Sequence, residues 1–394
     1  MRIIYNLSIS IYNYLLKIAS FLHPKAKLWI DGRKNIFKKL KKQIEGQKEI
    51  VWFHCASLGE FEQGRPIIEG YKKKYPDHKI LLTFFSSSGF EVKKNYKLVN
   101  WVFYLPSDTE GNAKQFIDIV RPINVFFIKY EFWFNYMSEL RKKEIPFYSL
   151  SSLFRKENLF FKYEWFAKQL TNVTHFFVQD KSSALLLQSI GYTNTTVSGD
   201  SRFDSVIENT KNPLNIPLIK TFSSLRTTIV CGSTWPKDEK FLLKYIKENP
   251  QYNYIIAPHE MRKKYHIEHQ VNSLLLSSAN NKKILTANVL IIDSIGILSS
   301  IYQYGDIAYI GGGFGNGIHN ILEASTFGLP VIFGPNYQKF NEAIALINLK
   351  AAVSISNHQE LTAAFIFFNN FDSNIATNYI KANCGATNKI LDNI

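Results

Sequence analysis

Cysteine and acidic side chains are the scarce components of this chain. Its three cysteines, Cys55, Cys231 and Cys384, are too few and too widely separated for a disulfide framework and stand in no metal-ligand spacing, which suits a reducing compartment. The 32 Asp and Glu are outnumbered by 47 Lys and Arg, and the resulting charge of +15 favours an anionic partner, whether nucleic acid, membrane phosphate or acidic ligand. A clean apolar run of spanning length is also missing. Ile3 to Leu22 approaches that length but is interrupted by Asn6, Asn13 and Lys17, all costly in hydrocarbon. No small-residue cleavage site follows it, which disfavours a removed signal peptide. Nor is there a G-x-G-x-x-G turn at the start of a βα unit, so a dinucleotide cofactor is not expected.

What is present is a folding composition, with 46% hydrophobic and 15% aromatic residues. At 394 residues, two domains are the natural arrangement. At the N-terminus, Tyr5, Tyr12, Tyr14 and Trp29 accompany a basic stretch from Lys25 through Arg33 and Lys38 to Lys42. That pattern reads as an interfacial or marginally inserted anchor beside anionic headgroups, with its basic side toward the cytoplasm. The alternative is a buried first helix followed by a solvated basic one.

From residue 50 onward, short apolar runs alternate with amphipathic stretches, the pattern of βα units around parallel sheets. Strands are expected at Ile50–His54, Lys79–Phe84, Trp101–Tyr104, Asn124–Ile128, Pro146–Leu150 and His175–Val178, and again at Thr228–Cys231, Tyr254–Ala257, Val289–Ile292, Ile307–Ile310 and Val331–Phe333. Between the two series, Ile207 to Leu225 is punctuated by Pro213 and Pro217, which argue against a regular helix and for a domain boundary. The expected plan is an N-terminal segment over 1–45, a Rossmann-like α/β domain over 46–210 and a second over 211–394, its last helix packing back on the first, with a cleft between the domains. Ligands of open parallel sheets bind beyond the carboxyl ends of the strands.

There, after Ile307–Ile310, come Gly311, Gly312, Gly313, Phe314, Gly315, Asn316, Gly317, Ile318, His319 and Asn320, then a helical run through Glu323. Glycines admit close approach of backbone N–H groups to an oxyanion, so the loop reads as a phosphate cradle. Glu323 is placed to accept ribose hydroxyls, although Asn320 and Glu323 also have capping-box spacing. Ser233 and Thr234, Pro258 and His259, and Asp293 to Gly296 follow other strands at the same end of this sheet. His319 and His259 are candidate charge-assisted phosphate contacts.

In the first half, Ser57 and Glu60 follow Ile50–His54. Glu60 is either a capping partner of Ser57 or a general base that takes a proton from an acceptor hydroxyl. Glu131 follows Asn124–Ile128 amid aromatics, where an unpartnered carboxylate is costly to bury. Arg202 is its candidate partner or a substrate clamp, with a plain surface pair to Asp204 as the alternative.

These stretches, in order, resemble the 3-deoxy-D-manno-octulosonic acid (Kdo) transferases: His54 to Glu60, Glu131 to Asn135, Gly199 to Asp204, Asp293 to Leu298, Gly311 to Glu323 and Phe333-Gly334-Pro335. The resemblance implies a GT-B fold and an inverting, metal-independent transfer of Kdo from CMP-Kdo to a lipid A precursor. It also implies a monotopic protein on the cytoplasmic face of the inner membrane, with no cofactor and no nucleic-acid partner. Glu60 matches the family's base, and Glu131 and Arg202 match its transition-state stabilisers; position 202 is usually lysine. Pro258 and His259, Ile295, Gly296 and Ile297, and Asn320, Ile321, Leu322 and Glu323 match CMP-binding segments. Ser233, Thr234, Gly312, Gly313 and His319 are further phosphate or ribose candidates. Two other readings remain: a GT-B transferase using a UDP- or GDP-sugar on a membrane lipid, and a non-catalytic membrane- or nucleic-acid-binding protein.

Overall fold

The computed structural model describes residues 1–129, 131–260 and 267–394. The chain divides into two compact units, one formed by Met1–Ser205 with Cys384–Ile394 and the other by Val206–Asn383. Each is built on a seven-stranded, wholly parallel sheet.

In the first unit the strands are β1 (Ile50–Cys55), β2 (Lys79–Phe84), β3 (Trp101–Tyr104), β4 (Asn124–Ile128), β5 (Phe147–Ser152), β6 (His175–Val178) and β7 (Thr195–Val197), in the order β3-β2-β1-β4-β5-β6-β7. Nearly every residue of β1, β2 and β4 is apolar because helices cover both faces of the sheet. Alternation still sorts them. Trp52, Leu81, Val125 and Phe127 join one core, while Val51, Phe53, Leu82 and Phe126 join the other. Strand order reverses between β1 and β4, so the crevice at their carboxyl ends is the position where such sheets hold ligands.

Three helices precede β1: α1 (Arg2–Ala19), α2 (Pro24–Arg33) and α3 (Ile36–Ile44). Helix α3 buries Ile36, Leu40 and Ile44, spaced four apart, and leaves Lys38, Lys39, Lys41 and Lys42 outside. Helix α1 is oriented the other way round. Its polar side chains face the domain: the Tyr5 hydroxyl donates to Asp108 at 2.6 Å, Asn13 donates to the Ser107 hydroxyl, and Asn6 accepts from Asn135. Ile3, Leu7, Ile11, Leu15 and Ile18 are exposed on its outer side. The asparagines that make this segment a poor membrane span are therefore its attachment to the protein, and the first helix is not a buried one. No described helix is long and apolar enough to cross a membrane.

The second unit carries β8 (Thr228–Thr234), β9 (Asn253–Pro258), β10 (Ser273–Leu275), β11 (Val289–Ile291), β12 (Ile307–Ile310), β13 (Val331–Phe333) and β14 (Ala352–Ser354), in the order β10-β11-β9-β8-β12-β13-β14. Its switch point lies between β8 and β12. The segment expected to resist helix formation, Ile207 to Leu225, takes in the end of the helix Arg202–Lys211 and the whole of Pro217–Ser223. Pro217 opens the latter because the first helical position needs no amide hydrogen.

The last helix, Ala386–Leu391, packs on α4 (Leu58–Lys74), where Gly70 leaves room for Leu391. Its start is held by Asp204, whose carboxylate accepts from Gly385 N at 2.6 Å and Thr387 N at 2.7 Å.

Candidate functional site

The reversal of strand order brings the two glutamates singled out in the first unit onto adjacent loops. Glu60 stands in the first turn of α4 just beyond β1, and Glu131 follows β4. Ser57 caps α4 by accepting from Gly59 N at 3.2 Å, and its own hydroxyl donates to Glu60. Glu60 thus binds the capping side chain and does not close a reciprocal capping box with the Ser57 amide. Its other carboxylate oxygen lies 3.7 Å from Lys129 Nζ. Lys129, just after β4, has φ of +69°, a left-handed conformation that is unfavourable for a lysine.

Glu131 is flanked by groups that sequence reasoning did not assign to it. His54, fully buried at the end of β1, directs Nε2 toward the Glu131 carboxylate at 3.6 Å, and the Trp133 indole N–H points at the same nitrogen at 3.4 Å. On its other side, His54 Nδ1 is 2.8 Å from the Thr83 hydroxyl, which also accepts from Trp52 Nε1 at 2.7 Å. The ring is held from both nitrogens. A lone histidine inside an otherwise apolar strand was the signal available in the sequence, though strand pairing with β2 was needed to find Thr83.

Arg202 does not pair with Asp204. Its guanidinium donates through Nε and Nη2 to Asp200 Oδ2 at 2.9 and 2.6 Å, while Gln63 donates to the other Asp200 oxygen. Asp204 is instead committed to the C-terminal helix. The proposed Arg202 partner for the first site is therefore a side chain already oriented by a carboxylate of its own.

In the second unit, the expected cradle is a packing device as well as a loop. A Cβ on Gly311 would lie 2.3 Å from Ser233 O, and one on Gly313 would lie 2.6 Å from Gly334, so both glycines let the loops after β8, β12 and β13 touch. Gly312, with φ of +92°, donates its N–H to buried Asp238 at 3.0 Å. That amide is spent on a protein carboxylate, which corrects its assignment as a phosphate donor. Asp238 also takes Trp235 N and the Tyr309 hydroxyl, and the sequence carried no sign of this role beyond a capping position.

Thr234 is likewise buried and directs its hydroxyl to Glu239 at 3.2 Å, away from any ligand role. Ser233 adopts φ of +53° in the bulge at the end of β8. His259 and His319 come together as expected, their rings stacked 4.3 Å apart, with Trp235 on the same stack. Trp235 Nε1 donates to His319 Nε2 at 2.9 Å. Burial, reinforced by His259, pushes the His319 pKa down to about 4, so it is a neutral stacking and accepting ring at pH 7 and does not supply the charge-assisted phosphate contact expected of it.

A cavity of about 450 Å³ lies beside these rings, lined by Trp235, Gly312, Phe314, Gly317 and His319. Helix Leu322–Thr326 begins after Asn320, which accepts from Leu322 N at 3.1 Å and donates to Glu323 at 3.1 Å, so the capping contact exists alongside any ligand role. Pro258 ends β9. Ile295 is almost fully exposed, Gly296 has φ of +90°, and Ile297 precedes the short helix Leu298–Ile301.

Two α/β units with parallel sheets, each with chemically equipped loops at its switch point, define the GT-B fold. Solved structures share it at low sequence identity. They include the UDP-GlcNAc 2-epimerase from Neisseria meningitidis bound to UDP-GlcNAc (TM-score 0.59, 13% identity, covering 87% of this chain and 98% of that one) and MurG of Acinetobacter baumannii (TM-score 0.52, 10% identity, 88% and 99%). Residues 32–205 match the family model described as 3-Deoxy-D-manno-octulosonic-acid transferase (kdotransferase). Similar proteins bearing the name 3-deoxy-D-manno-octulosonic acid transferase come from Rickettsia bellii (strain RML369-C), 28% identical over 81% of this chain and 79% of that protein, and from Aquifex aeolicus (strain VF5), 26% identical over 82% and 86%. On these similarities the chain is a glycosyltransferase whose relatives are named for Kdo transfer.

Proposed function

We propose that the chain transfers Kdo from CMP-Kdo to a phosphorylated lipid A precursor, with inversion at the anomeric carbon and without a metal ion, at the cytoplasmic face of the inner membrane. The observation that carries this reading is the placement of Glu60 and Glu131 beyond the adjacent strands β1 and β4, in a chain whose relatives are named for Kdo transfer.

Glu60 accepts the proton of the acceptor hydroxyl as that oxygen attacks the sugar, with Lys129 and Ser57 fixing the carboxylate. Glu131, oriented by His54, which Trp133 also contacts, stabilises the transition state together with Arg202. In the second unit, the loops at Pro258–His259, Ile295–Ile297 and Asn320–Glu323 receive CMP, with the Trp235–His319–His259 stack as a flat wall beside them. The outward apolar face of α1 keeps the enzyme at the bilayer where its acceptor resides.

Glu60→Ala is expected to reduce Kdo transfer by about 10² to 10⁴-fold while leaving CMP-Kdo binding measurable by calorimetry unchanged. Full transfer by this variant would remove Glu60 from the role of base. Turnover of UDP-sugars in place of CMP-Kdo by the wild type would overturn the donor.

A further inference from the structure

On the side of the first unit formed by α1, α2 and α3, well away in sequence from the glutamate loops, lies a cavity of about 730 Å³ lined by Asn13, Lys17, Trp29, Arg33, Lys38 and Ser107 among others. Its electrostatics are one-sided. No acidic side chain lines it among the described residues, while three basic ones do.

Arg33 is the central case. Its guanidinium lies 3.7 Å over the Trp29 ring and donates to the carbonyl oxygens of Leu105, Trp29 and Phe85, at 2.8, 3.1 and 2.7 Å. These are neutral acceptors, and no carboxylate pairs with Arg33 among the described residues. A part-buried cation without a counter-ion is a costly arrangement that a bound anion would relieve. Two further atoms lack partners. Trp29 Nε1, a donor, and Asn13 Oδ1, an acceptor, are both buried without a hydrogen bond. Trp29 as a whole is 92% buried, its relative exposure being 8%. Native proteins rarely leave such groups unmatched.

The cavity opens beside the outward face of α1, where Tyr14 and Lys17 line it and Leu15 and Ile18 stand exposed next to them. Exposed apolar side chains and a cationic lining residue therefore stand side by side on the same stretch of α1. We infer that this cavity binds the phosphate of a lipid headgroup, with Lys17, Lys38 and Arg33 supplying charge, Trp29 Nε1 donating and Asn13 Oδ1 accepting from a hydroxyl of the same headgroup. None of its lining residues belongs to the loops that carry Glu60 and Glu131, and the inference stands whichever sugar is transferred. It makes membrane attachment a matter of recognition in addition to apolar insertion.

The test is sedimentation of the full chain with vesicles of phosphatidylcholine alone and of phosphatidylcholine with phosphatidylglycerol. Each lysine near an anionic surface contributes roughly a fivefold factor in binding. Lys17→Ala with Lys38→Ala is expected to weaken binding to the anionic vesicles by about tenfold or more. The control pair Lys39→Ala with Lys42→Ala removes the same charge from α3 outside the cavity and is expected to weaken it by a clearly smaller factor, because only general surface attraction is lost. Trp29→Phe keeps the ring and removes the donor, and is expected to weaken binding to the anionic vesicles while its circular dichroism stays that of the wild type. Equal losses in the two lysine pairs, or a folded Trp29→Phe that binds as the wild type does, would overturn the site. Binding of inorganic phosphate alone at one per chain, abolished by the Lys17 and Lys38 substitutions, would assign the cavity to a soluble ligand and overturn the lipid source.

Discussion

His54 Nε2 lies 3.6 Å from the carboxylate of Glu131, and both are anchored to neighbouring strands of one sheet. The histidine is fully buried and tied through Nδ1 to Thr83, so it is a fixed post against which the carboxylate is oriented. His54→Phe keeps an aromatic ring of similar size but leaves the Trp133 indole N–H and the Thr83 hydroxyl without this partner. It is expected to cost about 1 to 3 kcal/mol in stability. In the protein that remains folded, kcat is expected to fall by up to about 10²-fold with little change in KM for the donor, because the defect lies in placement of a transition-state group. A folded variant with unchanged kcat would show that the pair is structural.

Asp204 holds the C-terminal helix through two amide contacts, with Ile390 and Leu391 buried in the core beneath. Asp204→Ala removes an N-terminal cap and is expected to lower stability by about 1 to 2 kcal/mol. Hydrogen exchange should show increased opening of 384–394. Unchanged protection of those amides would place the anchoring in the apolar contacts alone.

The His319 ring contributes a pH dependence whose sign can be worked out. Its folded pKa of about 4 lies below the ordinary value of 6.5, so between these values the unfolded chain binds a proton that the folded chain does not. Its contribution to stability is complete above pH 6.5 and is lost as pH falls toward 4. Asp108 acts in the opposite direction: burial raises its pKa to about 6, so its contribution is present below pH 3.8 and is lost as pH rises through 6. The informative quantity is therefore the difference between wild type and His319→Gln in urea midpoint at pH 7 and pH 5. The substituted protein is expected to lose less on acidification. Parallel losses in the two proteins would remove His319 as the source.

Much of the architecture could be read from residue patterns, because strands covered on both faces must be apolar along their whole length. Lys79–Phe84, Trp101–Tyr104, Asn124–Ile128 and His175–Val178 are strands over those same residues. Thr195–Val197, Ser273–Leu275 and Ala352–Ser354 were not foreseen; each has only three residues and sits at the edge of its sheet, too short for a pattern to stand out. Arg202 illustrates a different difficulty: Asp200 and Asp204 are both near it in sequence, and only the direction of the backbone selects Asp200.

The sequence by itself determined the two parallel-sheet units, the carboxylates at the ends of β1 and β4, and the glycine-rich loop after β12, since these depend on local composition and periodicity. The tertiary structure alone decided which groups those residues meet. His54 reaches Glu131 because β1 and β4 are neighbours, Gly312 gives its amide to Asp238 across 74 positions, and the asparagines of α1 turn inward because Ser107 and Asn135 await them. Hydrogen bonds and ion pairs act over a few ångströms, and the proximity they require between distant segments exists only once the chain has folded.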